Sequence, residues 1–445
     1  MGIKTLLPVL APSTQQINIK DMKGTVVGID ASCWLHKGAF ACAKELVLGL
    51  PTDSHVNFFM SCIDCLLHND VTPVLVFDGP RTLPAKAAVA AERKRKRALA
   101  KPNAQTTTDP LKARTSYTAA VEITPAIVDR VIEASKEREV DYVVAPYEAD
   151  AQLAFLSMNG AVQYIISEDS DLLVFGAKQV IYKYDKATGS GQLITQNNLH
   201  LSFKDFPDFS LEKFRMICIL AGCDYLKSIF GIGPNMATAF VKALGDRNIF
   251  QEIYNLGAIL GTERQYKVPD GYPDGLKKAM NTFKHQTVLH PDEGYVPLRP
   301  YPPGVSAVDM DYARLPLGDK PVFDPRKTWA SVQMLNTTYQ SDASFQYQDD
   351  SDEDRSSDSS QEPRHNLRSR PAQLATVIAL GNTFKLTIPN FPVISLTLLH
   401  ATVSVDGHLK PAVFRASDHR VLLYPTPFDI FIRDSCMMTV DDVEQ

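Results

Sequence analysis

Two pairs of acidic residues lie close together between residues 143 and 175, in the sequence VVAPYEADAQLAFLSMNGAVQYIISEDSDLLVF. Glu148 and Asp150 follow one short apolar run, and Asp169 and Asp171 follow another. Four carboxylates at the ends of two buried strands would repel one another unless a positive charge lay between them. Oxygen ligands of this kind suit a hard cation such as Mg²⁺. The stretch therefore predicts a carboxylate-only metal site around which the fold must be arranged.

Short apolar runs alternate with helix-like segments through the first part of the chain, a pattern typical of a parallel sheet with helices on its faces. The predicted strands cover residues 25–30, 72–78, 142–145, 162–166 and 178–184, and the predicted helices cover residues 31–48, 56–68 and 123–139. Ligands of such sheets bind beyond the carboxyl ends of the strands. Asp30 and Asp78 fall at these ends, as do Glu148 and Asp169. Taken singly, each is an ordinary helix cap or turn residue, but four together predict a site.

Charge is spread unevenly over the 445 residues, whose formal net charge is −5. Residues 349–362 hold seven acids and one arginine, so the rest of the chain is nearly neutral. Residues 86–101 hold seven bases and one acid. They favour a helix that we expect to end at Pro102, with a second helix over residues 111–121. Two interpretations of the basic helix stay open: it arches over the metal site and contacts phosphates, or it is a solvated helix or nuclear localisation run.

Residues 210–244 predict a helix, a tight loop and a second helix. The loop contains the sequence GIG at residues 231–233, where backbone N–H groups can approach a phosphate closely, and Pro234 begins the second helix. Helix–hairpin–helix elements of this kind hold a DNA backbone without reading its bases. Asp224 immediately precedes the loop, so it can serve both the hairpin and the metal site.

Composition excludes several other classes of protein. Seven scattered cysteines do not form a disulfide framework and indicate a reducing compartment. We expect no membrane association, because no apolar run reaches transmembrane length and the N-terminus lacks a signal-peptide pattern.

Residues 251–330 are expected to wrap back onto the core. Residues 340–370 predict an acidic disordered linker, and residues 371–445 a β-rich segment of unknown role.

Five sequence motifs resemble those of the 5′ nuclease family of flap endonucleases and exonuclease 1. In chain order they are WLHKGAFACA, VLVFDG, PYEADAQLA, SEDSDLLVFG and GCDYLKSIFGIG, and the first motif with its following PTD is similar to the exonuclease 1 branch. The resemblance implies a PIN-like α/β fold with a mostly parallel sheet, a helical arch and a helix–two-turn–helix DNA-binding element. The implied division is an N-terminal nuclease region with the start of the arch over residues 1–99, the rest of the arch and a connector over residues 100–137, an internal nuclease region over residues 138–230 and the hairpin element over residues 210–250.

The resemblance also implies roles for individual residues. Its metal ligands fall on seven acids, of which the first four would surround one ion and the last three the other: Asp30, Asp78, Glu148, Asp150, Asp169, Asp171 and Asp224. Its catalytic, phosphate-contacting residues fall on Lys86 and Arg93. Further DNA contacts are implied for Gly2, His36, Arg95, Arg97, Ser228, Gly231, Ile232 and Gly233, and the hairpin would bind K⁺. Ser32 stands where this branch has an aromatic that stacks on a displaced base, a contact worth about 1–3 kcal/mol.

The activity that the resemblance implies is Mg²⁺-dependent 5′-to-3′ exonuclease action on double-stranded DNA, with cleavage of 5′ flaps. Two ions per active site would lower the pKa of bound water and stabilise the leaving oxygen. The resemblance further implies a nuclear monomer that acts in mismatch repair, end resection and recombination, with mismatch-repair proteins as partners. Two alternatives stay open, a flap-specific endonuclease and a DNA-binding scaffold without activity. The complete set of acids favours an enzyme, because buried charges without a partner are costly.

Overall fold

The computed structural model describes residues 2–3 and 5–305, together with the backbone of seven strands between residues 376 and 431. The chain divides into two units, residues 1–347 and residues 348–445. Within the described residues, no helix is both long enough and apolar enough to cross a membrane. The predicted acidic linker over residues 340–370 lies outside the described residues.

A seven-stranded sheet forms the centre of the first unit. Its strands are β1 (Thr14–Asn18), β2 (Val26–Asp30), β3 (Thr72–Phe77), β4 (Asp141–Val144), β5 (Tyr164–Ile166), β6 (Gln179–Asp185) and β7 (Ser190–Thr195). Their order across the sheet is β1-β7-β6-β5-β2-β3-β4. The strands from β2 to β6 pair in parallel, whereas β7 pairs antiparallel with β6 and β1 antiparallel with β7. The predicted mostly parallel sheet is confirmed.

Both faces of this sheet are covered, which explains why its strands form continuous apolar runs. Alternate residues of β3 belong to two different cores, with Val74 and Val76 in one and Leu75 and Phe77 in the other. All four side chains are almost completely buried. Because both faces of the sheet are apolar and covered, its strands present carboxylates at their carboxyl ends.

Helices surround the sheet in the first unit. Those in the described residues are α1 (Leu6–Val9), α2 (Ala31–Ala41), α3 (Ala43–Leu48), α4 (Ser54–His68), α5 (Ala87–Thr106), α6 (Pro110–Ala120), α7 (Pro125–Lys136), α8 (Ala149–Met158), α9 (Asp171–Phe175), α10 (Leu211–Ala221), α11 (Pro234–Leu244), α12 (Ile249–Glu252), α13 (Leu256–Ile259) and α14 (Tyr272–His285). The single helix predicted over residues 31–48 is divided at Cys42, whose φ of −122° and ψ of 35° are not helical. The helix predicted over residues 123–139 begins at Pro125, with Thr124 as its N-cap residue, since the Thr124 hydroxyl accepts a hydrogen bond from the Ile127 N–H.

The basic helix α5 packs against α6, and the two helices together are called the arch below. Pro102 was expected to end α5, and this prediction is wrong, because the helix continues through it to Thr106. A proline inside a helix removes one backbone hydrogen bond. Two contacts offset that loss: the Thr106 hydroxyl donates to the Pro102 carbonyl at 3.0 Å, and Ala104 is buried against Tyr117 of α6.

After α14 the chain returns to the core through a two-stranded hairpin, β8 (Thr287–His290) and β9 (Gly294–Pro297). The buried side chain of Gln152, on α8, holds this hairpin in place. Its amide donates to the Leu289 carbonyl at 2.9 Å and accepts from the Leu289 N–H at 2.7 Å. The end of the first unit is thereby attached to the helix that follows the first acidic pair.

The second unit contains antiparallel strands within the segment predicted to be β-rich. Three of them form one sheet and four form another. The strands are β10 (Thr376–Leu380), β11 (Thr383–Thr387), β12 (Ile394–Thr397), β13 (Thr402–Val405), β14 (His408–Arg415), β15 (Arg420–Leu423) and β16 (Ile430–Phe431).

Replacement of Gln152 by alanine should destabilise the first unit. The change leaves the buried N–H and carbonyl groups of Leu289 without partners, at a cost of about 1–3 kcal/mol for each group. Urea unfolding of the full chain, followed by fluorescence, measures this loss. The exposed Gln251→Ala variant on α12 is the control and should unfold like the wild type. Equal midpoints for both variants would show that Gln152 does not hold the hairpin.

Candidate functional site

The predicted acids lie at one edge of the sheet because the strands that precede them are neighbours and run in parallel. Asp30 is the last residue of β2, Asp78 follows β3, and Asp169 follows β5. Glu148 is the N-cap residue of α8, which follows β4. Three further acids lie nearby: Asp150 in the first turn of α8, Asp171 in the first turn of α9, and Asp224 in the loop after α10.

Asp30 is 3% exposed, and two side chains hold one of its oxygens. The Cys33 thiol donates to Oδ2 at 2.9 Å, and the Ser167 hydroxyl donates to the same atom at 2.7 Å. Burial raises the pKa of Asp30 to about 6, the hydrogen bond from Cys33 opposes this rise, and the charge of Asp78 adds to it. Since both donors use Oδ2, Oδ1 is left for another ligand.

Asp78 is fixed by a helix terminus and a serine. Its Oδ1 accepts a hydrogen bond at 2.9 Å from the N–H of Ala149, the first residue of α8. The partial positive charge at a helix N-terminus favours a carboxylate at this place. The Ser32 hydroxyl donates to Oδ2 at 2.6 Å. Ser32, which stands where an aromatic residue was expected, thus forms a direct hydrogen bond with one of the acids.

Among the described residues, the second acidic pair has one buried oxygen without a hydrogen-bond partner. The Asp171 N–H donates to Asp169 Oδ1 at 3.0 Å, but Asp171 Oδ1 is buried and accepts no hydrogen bond from the described residues. Burial raises the pKa of Asp171 well above its usual range, and repulsion from Asp169 and Asp224 adds to the rise. Burial and repulsion from Asp169 raise the pKa of Asp150 in the same way. Without a cation, the ionised forms of Asp150 and Asp171 are therefore unfavourable at this site.

Two basic residues of the arch region reach into the acids. Lys86, immediately before α5, contacts Glu148 Oε1, and its Nζ lies 3.1 Å from Asp224 Oδ2. The guanidinium of Arg93 lies 3.0 Å from the same oxygen of Asp224. Burial lowers the pKa of Lys86, but attraction to Glu148, Asp224 and Asp150 outweighs burial and raises it overall. Lys86 therefore stays charged and neutralises part of the cluster.

Two residues that sequence reasoning missed hold Glu148 from the other side. The Tyr225 hydroxyl donates to Oε2 at 2.5 Å, and the Gln286 amide donates to the same atom at 2.8 Å. Tyr225 could have been found, because it follows Asp224 in the motif GCDY. Gln286 gave no signal in the sequence: it is fully buried after α14 and lies 138 residues from Glu148.

The N-terminus lies against the acids. Gly2 has a φ of +80°, and a Cβ at this position would lie 2.4 Å from Ser170 Oγ and 2.5 Å from Asp169 Oδ1. The next N–H, of Ile3, donates to Ser170 Oγ at 2.9 Å. Only glycine fits here, because a larger residue would displace Asp169 from its position.

His36 lies on α2, one turn beyond Ser32. Burial lowers its pKa, while the nearby charge of Asp78 opposes this change and Arg97 and Arg93 add to it. Its ring centroid is 5.7 Å from that of Phe40, one further turn along the helix. His36 is therefore positioned between the acids and the arch.

The other predicted arginines have acidic partners outside the cluster. Arg95 donates to Glu92 on its own helix, at 2.8 and 2.9 Å. Arg97 donates to Glu122 at 3.0 Å. The structure therefore brings Lys86 and Arg93 to the acids, whereas Arg95 and Arg97 are paired with Glu92 and Glu122 instead.

The predicted hairpin loop lies between α10 and α11. Gly231 has a φ of +88°, a conformation that favours glycine, and Gly233 is the N-cap residue of α11. The backbone of Ser228 packs against Gly222, where a Cβ would lie 3.1 Å away. Ile232 is 4% exposed, so its side chain anchors the loop and only its backbone can meet a ligand.

The donor set fits a divalent cation, although the acids do not form a closed cage. Among residues 2–3 and 5–305, no three His, Cys, Asp or Glu side chains form a ready-made metal-binding group. The acids supply oxygen ligands, which hard cations prefer, and Asp171 Oδ1 is buried with its ligand position open. Lys86 and Arg93 supply the positive charge between Glu148 and Asp224 in this arrangement.

Comparison with known proteins identifies two family regions. The XPG N-terminal domain matches residues 1–100, and the XPG I-region matches residues 139–224. The chain is 42% identical over 327 residues to Exonuclease 1 of Danio rerio, covering 72% of this chain and 40% of that protein. It is 43% identical over 326 residues to Exonuclease 1 of Xenopus laevis, covering 72% and 44% respectively. The chain thus spans less than half the length of these two relatives.

Solved structures give a weaker likeness. The catalytic core of Rad2 in complex with DNA substrate is 20% identical to this chain, with a TM-score of 0.49. The match covers 74% of this chain and 99% of the Rad2 core. A flap endonuclease-1 from Methanococcus jannaschii is 24% identical with a TM-score of 0.40, covering 63% of this chain and 98% of the other.

The pKa of Asp30 predicts how stability depends on pH without metal. The native carboxyl titrates at about 6 and the unfolded one at about 3.8, so the native state binds more protons between these values. The free energy of unfolding in EDTA should therefore fall as pH rises from about 4 to about 6. In Asp30→Asn this fall should be shallower, and the variant should be more stable than wild type at pH 7 by up to about 3 kcal/mol.

Urea unfolding at several pH values measures this difference. Asp205→Asn, at an exposed position, is the matched control and should follow the wild-type pH dependence. An Asp30→Asn variant that is less stable than wild type at pH 7, with an unchanged slope, would contradict the assignment.

Proposed function

Because this chain belongs to the 5′ nuclease family, in its exonuclease 1 branch, we propose that it hydrolyses phosphodiester bonds from the 5′ ends of double-stranded DNA and also cleaves 5′ flaps. The observation that carries this proposal is the seven-acid cluster at the carboxyl edge of the sheet, into which Lys86 and Arg93 reach. Carboxylates alone would repel the negative charge that develops in phosphodiester hydrolysis. The cluster therefore suits this reaction only when cations are bound to it.

The family is metal-dependent, and we assign two Mg²⁺ ions to the acids. One ion would be held by Asp30, Asp78, Glu148 and Asp150, and the other by Asp169, Asp171 and Asp224. When bound, such ions lower the pKa of water and stabilise charge on the phosphate and on the leaving oxygen. A K⁺ ion is assigned to the hairpin loop, residues 228–233, whose backbone carbonyls are its ligands in this proposal.

In this proposal, Lys86 and Arg93 pair first with acids of the site and then with the phosphate of the substrate. Without cations they neutralise Glu148 and Asp224. With cations at those acids, both side chains would be free to turn toward the scissile phosphate. They then stabilise the charge that builds on its oxygens.

The surrounding residues keep the acids in place while this exchange occurs. Cys33 and Ser167 hold Asp30, and Tyr225 and Gln286 hold Glu148. In both cases the donors share one carboxylate oxygen. The side chains therefore keep their orientation when the cations around them change.

Substrate positioning is assigned to the arch, the N-terminus and the hairpin loop. A terminal nucleotide must leave the duplex to reach the acids, at a cost of about a few kcal/mol. Gly2 packs against Asp169, where a side chain would displace that acid, and His36 lies next to the arch. The backbone of the hairpin loop would hold the duplex through its phosphates.

The cellular role follows from the same family. We assign the protein to the nucleus and to DNA repair by mismatch repair, end resection and recombination, as a monomer that acts with mismatch-repair proteins. The run RKRKR at residues 93–97 remains the alternative source of nuclear import. Arg93 binds Asp224, which favours a part in the site for that residue.

The first assay uses the full chain, Mg²⁺ and a 5′-labelled duplex. Wild type should release labelled nucleotides, and EDTA should abolish the release. Asp171→Ala should lower the rate by more than about 100-fold, because the metal supplies several kcal/mol of charge stabilisation. Asp205→Ala is the control and should retain the wild-type rate. Equal product from wild type and Asp171→Ala, or none from either, would favour the non-catalytic scaffold.

A second assay separates the exonuclease from a flap-specific endonuclease. Ser32 is the observation that favours the second candidate, because it offers hydrogen bonding to Asp78 in place of an aromatic surface for a displaced base. We expect wild type to degrade a blunt or recessed duplex at a rate comparable with its cleavage of a 5′ flap. Cleavage of the flap alone, on matched strands in the same buffer, would assign the chain to the flap-specific class.

A further inference from the structure

The hairpin loop over residues 228–233 carries a large aromatic side chain that is exposed to solvent. Ile229 and Ile232 are buried and anchor the loop to the core, whereas Phe230 between them is 88% exposed. A single exposed apolar residue is ordinary on a protein surface. What distinguishes Phe230 is the side chain that lies over its ring.

That side chain is Arg264, from the segment after α13. Its Cζ lies 6.0 Å from the ring centroid of Phe230 and 5.1 Å from that of Tyr266. It also fills the space beside Gly231, where a Cβ would lie 2.3 Å from Arg264 Nη2. The backbone of Arg264 is fixed as well, because its N–H donates to Thr262 Oγ1 at 3.2 Å. The guanidinium therefore has a defined place over the loop.

The charge of Arg264 is not neutralised within the part of the chain that the structure describes. No acid there forms an ion pair with it, whereas Arg93, Arg95 and Arg97 each have an acidic partner. The guanidinium carbon lies over the two rings, neither of which accepts a hydrogen bond from its N–H donors, and Arg264 is exposed. These donors remain available to an anion that approaches the loop from outside.

We propose that Arg264 contacts the phosphodiester backbone of the duplex part of a DNA substrate, held in position by Phe230 and Tyr266. This inference rests on the proposed function, because it takes DNA as the substrate. The loop itself offers backbone N–H groups without net charge, and Arg264 adds a full positive charge whose planar donors match a phosphate. Such a contact positions the duplex without reading its bases.

The salt dependence of DNA binding tests this contact. The full chain in EDTA is titrated against a labelled duplex with a recessed 5′ end, by fluorescence anisotropy, at KCl concentrations between about 50 and about 200 mM. Each phosphate contact contributes about 0.9 to the slope of log Kd against log salt. Arg264→Gln should lower the slope by about this amount. Arg264→Lys should keep the slope, because the charge remains.

Two further variants separate a DNA contact from local packing. Arg247→Gln is the matched control: Arg247 is also exposed, but its guanidinium donates to the carbonyls of Ala243 and Leu244 at the end of α11. This variant should keep the wild-type slope. Phe230→Ala should bind more weakly with an unchanged slope, because it removes a ring that positions the guanidinium and leaves the charge.

The outcomes are distinct from those of the nuclease assay. If Arg264→Gln unfolds at the wild-type temperature and binds with the wild-type slope, the proposal is wrong and the stack only packs the loop. If Arg264→Gln does not fold, an unchanged Kd in Phe230→Ala contradicts the proposal. Wild type that neither binds nor cleaves the duplex would overturn the proposed function instead.

Discussion

Mutual repulsion among buried carboxylates is the constraint on which the rest of the site depends. The sheet brings acids from four adjacent parallel strands to one edge, and burial makes the charges of Asp30, Asp169 and Asp171 costly. The protein meets this cost with Lys86 and Arg93, which approach from the arch, and with neutral donors that hold single oxygens. The arch is therefore tied to the sheet by the same charges that make the site suited to cations.

In the proposed function, this arrangement couples cation binding at the acids to the arch. Lys86 contacts Glu148 and Asp224 at once, so a cation that binds these acids competes with the ammonium group. Release of Lys86 and Arg93 would loosen the start of α5 from the core while freeing two positive charges for a polyanion. Under that proposal, cation binding at the acids and the availability of Lys86 and Arg93 for a phosphate would be two results of the same exchange of ion-pair partners.

The sequence predicted those parts of the molecule that local patterns determine. Apolar runs ending in acids gave the strands and placed Asp30 and Asp78 at the correct edge. It did not predict that α5 continues past Pro102, because burial of the following turn against α6 offsets the lost hydrogen bond. Nor did it predict Gln286, since a contact spanning 138 residues depends on the folded core and leaves no local pattern.

The place of Gln286 also has a consequence for the order in which the protein is made. During synthesis, Glu148 leaves the ribosome long before Gln286, the residue that donates a hydrogen bond to it. Gln152 likewise leaves long before its partner Leu289. The acidic site is therefore incomplete on a growing chain until the hairpin that follows α14 has been synthesised and docked. A polypeptide that ends before this hairpin would lack the hydrogen bond from Gln286 to Glu148, so the sheet can form before the acids are fully supported.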